Sequence, residues 1–420
     1  LIREGWHYAE EWNLATDVYG DYIKVDKDTE VRWPPKAAPE HQIVKLVKEG
    51  GLLVSSPKLS EEDYEQLPEG LGMKIANYNT YMHRRRFLSN FKDPENKGIL
   101  AHVREDGRIP CGVNNFATRS GRSSHRVFVN APSESALYGP QIRKGVIAGA
   151  GNILVGVDMA SAQLSIAAYY ANNAEYYSAV ASGREEDAEG NYVGESAHCV
   201  NARMFGLVSE SEWIEARLNQ QPTLLQSISL RRKKSKSGSF ATIFGSGGEA
   251  MAVTLGIPKN QGNEKKDNFL REMGLDNVDK YLKDLSGENK YKGGWFLPVA
   301  FGYYVWNNST HKNLNSIVQG LESVAQKLAV VRTAKEIKKL GLSNNAKQVL
   351  DYHDEMLYEC SEEVADKVGG IMCKSYTWAG EQIYKWHKKH PDTFSNYGGP
   401  KFAIDLDGGF KLGRNYYEVH

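Results

Sequence analysis

The run Asn152 to Ala160, NILVGVDMA, constrains this chain more than any other segment. It is short, almost wholly apolar and closes on a carboxylate, so it reads as a buried strand that delivers Asp158 to its edge. A charge is not placed there without a partner. One candidate partner lies in NAKQVLDYHDEMLYEC, Asn345 to Cys360, where two β-prone runs flank His353-Asp354-Glu355, the pattern of a hairpin with acids at its turn. Aspartate in a turn is common and by itself means little. If the Asp158 strand lies beside that hairpin, the reading changes. Two carboxylates about 4 Å apart repel by roughly 4 kcal/mol at an effective dielectric near 20, so such a pair stays charged mainly around a cation. Hard oxygen ligands select magnesium, or manganese, over zinc, and a two-metal site suits phosphoryl or nucleotidyl transfer. The long segment between the two acid sites is mostly helical in pattern and reads as a separate lobe.

Within that lobe, SLRRKKSKSGSFATIFGSG (Ser229 to Gly247) reads as a basic helix in which Arg232, Lys236, Phe240 and Phe244 recur every four residues. Side chains at that spacing share a face, so two cations and two rings line one stripe, able to clasp a triphosphate and pack on a base or sugar. The bland alternative is a helix with a solvated basic end and a buried aromatic end. Lys+Arg and Asp+Glu both number 52, so a nucleic-acid site here must be a local patch and not a general positive charge. A second basic face, Arg84, Arg85 and Arg86, falls in a helix expected over Gly72 to Phe91, with a solvated surface as its plain reading and DNA contact as its sharper one. HQIVKLVKEGG, after the Pro-rich Trp33 to Glu40, is expected to be a short helix ending at Gly50. AGAGN and FGSGG lack the strand-loop-helix context of a phosphate loop and read as turns. The four cysteines have no paired spacing and the histidines no H-E-x-x-H, which argues against a zinc site and a disulfide scaffold. With no signal-peptide shape at the start and no long apolar run, the expectation is a cytoplasmic protein, bacterial or in a phage-infected host, with no membrane partner.

Taken in order, these segments resemble the signature motifs of the family A DNA polymerases. VGVDMASAQLSIAA is similar to motif A, RRKKSKSGSFATIFG to motif B, and DYHDE to motif C. SGRSSHR resembles the segment that holds the primer-template, AHCVNARMFG the segment opening with the nucleotide-side histidine, and HKNLNSIVQG the helix whose Asn and Gln touch the minor groove. The ending resembles that of small-phage replicative polymerases. The resemblance implies an α+β right-hand polymerase fold, with an antiparallel-sheet palm, mostly helical fingers and a helical thumb. It implies that Asp158 and Asp354 bind two magnesium ions, manganese being an alternative, with Glu355 beside them and His353 near the primer end. Arg232, Lys236 and His198 would face the incoming dNTP, Phe240 would pack on its sugar and base, and Arg122, Asn315 and Gln319 would touch primer-template DNA. Minor-groove acceptors are largely sequence-blind, as copying requires.

The departures concern the sugar. Gln163 stands where the family carries the Glu that blocks a ribose 2′-OH, Phe244 where Tyr is common, Ala160 where Ser is usual, and Ser165 where bacterial members carry Arg. With donor and acceptor charge lost together, Gln163 and Phe244 are expected to make a looser gate. The enzyme rival is a single-subunit RNA polymerase, and the rival of another class is an inactive primer-template-binding relic. The expected division is 1–75 N-terminal segment or partial thumb, 76–98 thumb helix, 99–170 palm, 171–312 fingers, 313–420 palm, with residues 183–194 a surface loop of the fingers. No acids spaced as in a 3′ to 5′ exonuclease appear before residue 75, so no proofreading is expected, and a processivity factor, if there is one, is unidentified.

Overall fold

A computed structural model of the chain describes four short strands within residues 23–55, then residues 71–89, 98–134, 136–159, 161–181, 197–219, 222–288, 293–394 and 399–419. The chain forms two units, Leu1–Ala101 and His102–His420. In the first, β1 (Ile23–Asp26) pairs with β2 (Thr29–Val31), β3 (Ile43–Leu46) pairs with β4 (Leu52–Ser55), and a helix α1 (Leu71–Leu88) follows. The helix expected in HQIVKLVKEGG is thereby corrected. Its apolar residues form β3, with Val44 opposite Val54 and Leu46 opposite Leu52. A run as short as IVKL fits a strand and a helix turn equally well, and here the β-branched Ile43 and Val44 and a second apolar run after Gly50-Gly51 decide for a hairpin.

The second unit is built on a four-stranded antiparallel sheet. β7 (Asn152–Met159) lies at its centre between β11 (Glu355–Ser361) and β12 (Asp407–Gly413), and β10 (Ala346–Tyr352) forms the edge beyond β11. Two smaller hairpins precede and follow β7 in the chain: β5 (Gly112–Asn114) with β6 (Ser124–Arg126), and β8 (Trp295–Ala300) with β9 (Tyr303–Asn307). Alternation sorts the residues of the central strands onto two faces. Val155, Val157 and Met159 of β7, with Met356, Tyr358 and Cys360 of β11, enter the main core, and α12 (Ala365–Lys389) lies against β7, β11 and β12. On the other face of β7, Gly156 leaves room for the C-terminal segment, because a Cβ there would meet the Val419 carbonyl oxygen at 2.4 Å. Cover on both faces explains why β7 reads as an unbroken apolar run and not as an alternating one.

Between β7 and β10 the described residues are mostly helical, as expected, except for the β8–β9 hairpin. The helices are α2 (Gly139–Lys144) before β7, then α3 (Ala162–Tyr170), α4 (Ala174–Ala181), α5 (Ala197–Met204), α6 (Glu210–Asn219), α7 (Pro222–Ile243), α8 (Gly248–Leu255), α9 (Gly262–Met273), α10 (Leu275–Glu288) and the 27-residue α11 (Asn313–Lys339). α11 packs on α12, α3 and β8, which ties the helical region to the sheet. No helix among the described residues is long and apolar enough to cross a membrane. Ala160 and the 183–194 segment lie outside the described residues.

Candidate functional site

The acids are brought together by strand register. Asp158 on β7 is the direct partner of Glu355 on β11, and the Met159 N–H donates to the Asp354 carbonyl at 3.0 Å. Residues opposite one another in an antiparallel pair share a face with Cβ atoms about 4.5–5.5 Å apart, so Asp158 meets the motif-C hairpin directly. The hairpin loop is shorter than HDE. Tyr352 pairs with Glu355, leaving His353 and Asp354 as the loop, with His353 at φ 56°. Glu355 is therefore a strand residue, not a turn residue. Its buried carboxylate accepts a hydrogen bond from the Tyr416 hydroxyl at 2.8 Å. The Asp158 side chain is exposed and Asp354 is half-buried. Below them the Tyr376 hydroxyl bonds the Asp354 carbonyl at 3.1 Å and Gln326 Oε1 at 2.7 Å. Burial first, then the charges of Asp158, Asp354 and Asp351, push the Tyr376 phenol well up.

Arg122 and Gln163 join this group through a residue the sequence did not single out. Gly121, at φ +77°, forms a turn whose Cβ position is filled by the Tyr303 hydroxyl at 2.3 Å, so only glycine fits. From that turn Arg122 reaches Glu322 on α11, whose side chain is wholly buried; the Nε–Oε2 distance is 2.8 Å, and Nη2 bonds the same oxygen. Gln163, on the first turn of α3, donates its Nε2 to Glu322 Oε1 at 3.4 Å. Asn315 and Gln319 lie on α11 at spacings of seven and three from Glu322, hence along the same stripe of that helix. His353 packs edge-on against His125 at 5.1 Å between ring centroids, and burial, with Arg122 and His125 nearby, lowers its pKa to about 4. His125 itself is fixed by a 2.7 Å bond from Nε2 to the Asp351 carbonyl.

The second group sits on α7. Its buried stripe is Arg232, Ser235, Ser239 and Thr242, and the hydroxyls are satisfied by bonding carbonyls: Ser235 to His198 at 2.7 Å, Ser239 to Lys236 at 2.9 Å, Thr242 to Gly238 at 2.9 Å. Small residues let neighbouring helices approach closely; a Cβ on Gly238 would meet Leu255 at 2.5 Å. The expected four-residue stripe is thus graded, with Arg232 buried, Lys236 exposed, Phe240 half-buried and Phe244 exposed. The helix starts earlier than expected and ends at Ile243, so Phe244 stands one residue past it, its ring 6.1 Å from that of Phe240. His198 on α5 joins this group: burial, then Arg232 and Lys236, lower its pKa to about 4. A pKa that low keeps the imidazole neutral near pH 7.

A magnesium site is compatible with these residues. Among the described residues no cluster of three or more His, Cys, Asp or Glu side chains could enclose a metal. Magnesium does not need one, since it is commonly held by one or two carboxylates, with water and substrate phosphates completing the shell. Asp158 and Asp354, oxygen donors on neighbouring chain segments at an accessible edge, fit that demand.

The residues that sequence reasoning missed differ in how legible they were. Glu322 is a lone acid inside the apolar period of α11, which is a usable signal. The β8–β9 hairpin also had one, the Phe301-Gly302 pair between the β-prone runs WFLPVA and YYVWN. Tyr416 and β12, in a Gly-rich charged tail, had none.

A family model, DNA polymerase family A, matches residues 59–383. Relatives include the DNA-directed DNA polymerase of Enterobacteria phage T3, 24% identical over 77% of this chain and 43% of its own length. That of Escherichia phage T7 is 24% identical over 73% of this chain and 42% of its own length. The thermostable DNA polymerase I of Thermus aquaticus is 23% identical over 69% and 32%. The chain therefore spans less than half the length of these relatives. Its fold is similar to the POL domain of Pol1 from M. smegmatis, solved in complex with DNA primer-template and dNTP, with TM-score 0.62 and 18% identity over 87% of this chain and 57% of that one. The expected α+β polymerase fold is met.

Proposed function

We propose, because this chain belongs to DNA polymerase family A and carries Asp158 opposite the motif-C hairpin, that it extends a primer 3′-OH with dNTPs along a DNA template. The observation that carries the reading is the β7–β11 register, which brings Asp158 and Asp354 together at one end of the two central strands. On this reading the sheet is the palm, the helices from α4 to α10 belong to the fingers, and the thumb lies in the first unit. Asp158 and Asp354 would hold two magnesium ions, whose chemistry when bound would be to activate the primer 3′ oxygen and neutralise charge on the leaving phosphate.

The protein's own part is placement and charge. Asp158 and Asp354 offer hard oxygens at the end of the two central strands, and Tyr376 and Gln326 brace the hairpin there. Lys236, exposed, and Arg232, held in the helix wall, take the triphosphate oxygens; charge-assisted bonds of this kind strengthen as charge shifts to the leaving group. His198, neutral, adds a hydrogen bond there without adding charge. Phe240 offers a face to base and sugar. Arg122, Asn315 and Gln319 lie along the duplex minor groove, and His353 beside the primer terminus. The test is primer extension with magnesium, offering dNTPs and rNTPs in separate reactions. Templated dNTP extension is expected; binding of primer-template without extension would overturn the reading, and extension with rNTPs alone would replace it by the RNA polymerase one.

A further inference from the structure

We propose that Glu322 is a positioning residue that holds Gln163 and Arg122 through one buried carboxylate, so that sugar selection and grip on the primer-template are set together. This rests on the polymerase reading above.

The geometry carries the inference. A carboxylate with no exposed surface is costly to bury, and here each oxygen has its own partner, Oε2 the Arg122 guanidinium and Oε1 the Gln163 amide. Arg122 cannot easily retreat. Its turn is tied to the same helix by Ser323 Oγ and Lys327 Nζ, which donate to the Gly121 carbonyl at 2.6 and 2.8 Å. The effect on Gln163 is directional. An ionised carboxylate only accepts, so it orders the glutamine to present its NH2 group to Glu322 and its carbonyl oxygen elsewhere. That oxygen is buried and takes no hydrogen bond among the described residues. Glu322 thereby sets an oxygen acceptor at residue 163, the place where a carboxylate is expected by resemblance, while the negative charge itself resides on α11. Burial raises the Glu322 pKa to about 7, against the pull of Arg122 and with a further push from Asp354, so its charge depends on the arginine staying in place. A residue that served only to neutralise Arg122 would not need the second contact to Gln163.

The experiment uses Glu322→Gln, which keeps shape and removes the charge, Gln163→Met, which removes the amide, and the double variant. For each, kcat/KM is measured for dNTP and rNTP, primer-template affinity by fluorescence anisotropy, and folding by thermal melting. Glu322→Gln is expected to shift the dNTP to rNTP ratio by about tenfold and to weaken primer-template binding several-fold, as loss of one charge-assisted contact would. Gln163→Met should shift the ratio similarly without weakening binding, and the double variant should shift it no further than either alone. An unchanged ratio in Glu322→Gln, or ratios that multiply in the double variant, would overturn the proposal and leave Glu322 as a structural counter-ion. If Glu322→Gln does not melt cooperatively, Glu322→Asp, which keeps the charge but withdraws it from Gln163, is read by the same two outcomes. A wild-type chain that fails to extend a primer sinks the polymerase reading as well; one that extends while Glu322→Gln matches it sinks this inference alone.

Discussion

Asp158 faces Glu355 across the β7–β11 pair, one residue from Asp354 in the hairpin loop, and Glu355 is turned to the Tyr416 hydroxyl. Three acids in so small a space are sorted by their surroundings into an exposed one, a half-buried one and a buried, hydrogen-bonded one. The sorting predicts unequal roles. Asp158→Ala and Asp354→Ala should each reduce extension to below a few per cent while leaving primer-template binding largely in place, because each removes an oxygen donor from the proposed metal pair. Glu355→Gln, which retains a partner for Tyr416, should cost much less. Single-turnover extension by the three variants checks the order, and full activity in either Asp variant would refute the assignment.

The gradation along α7 gives the second prediction. Lys236→Ala should raise KM for dNTP and lower kcat with little effect on DNA affinity. Lys233→Ala and Lys234→Ala, exposed on the same helix but off the Arg232–Phe240 line, should change both by less than about twofold. Steady-state kinetics of all three decide the matter, since equal effects would mark the lysines as a solvated surface.

The position of Glu322 bears on the sugar gate. Introducing the carboxylate expected at residue 163 by resemblance would set two acids side by side, where the amide nitrogen of Gln163 now lies 3.4 Å from Glu322. At roughly 4 Å and an effective dielectric near 20 such a pair repels by about 4 kcal/mol. Gln163→Glu alone should therefore lower the melting temperature, and Gln163→Glu with Phe244→Tyr should gain discrimination against rNTPs only when Glu322→Gln is added. Selectivity and melting of the single, double and triple variants check this; a stable Gln163→Glu would show that the amide and the acid are not coupled.

Buried neutral histidines set an acid limit on stability. In His387, the Val299 carbonyl can only accept, so Nε2 carries the proton and donates at 2.6 Å, while Nδ1 accepts from the Tyr169 hydroxyl at 2.9 Å. No ring nitrogen is left to accept a second proton without breaking a bond. The pKa values of His387 and His198 are lowered to about 4 from an ordinary value of 6.5, chiefly by burial. The unfolded chain therefore binds more protons than the folded one below pH 6.5, and stability falls as pH drops from 6.5 towards 4, by about 1–2 kcal/mol per histidine at pH 5. Glu322, raised to about 7 in the folded state, acts in the opposite sense, gaining its proton first in the folded protein. Thermal melts from pH 7.5 to 5 should show a net loss that is smaller in His198→Gln; a pH-independent midpoint would mean that these rings are not neutral in the fold.

The sequence by itself determined the elements whose signal is local. NILVGVDM reads as a strand because its apolar run is short and rich in the β-branched Ile153, Val155 and Val157, and YHDEM reads as a hairpin because polar residues interrupt two β-prone runs. The order of the three motifs carried the resemblance to the family, which the family model bears out, and singled out Asp158, Asp354, Arg232 and Lys236 as candidates. Tertiary structure alone decided what depends on register and on helix docking. That Glu355 leaves the loop and meets Tyr416 follows from a two-residue turn and from a tail folded back across Gly156, neither of which is written in local periodicity. The same holds for IVKL, whose four residues suit two elements until a partner strand selects one. Glu322 is the clearest case. As a letter it is one acid in a helix; buried against a guanidinium 200 positions away and an amide 159 positions away, it joins two segments that lie far apart in the chain. Contacts at such separations are fixed by packing, and packing is a property of the whole chain.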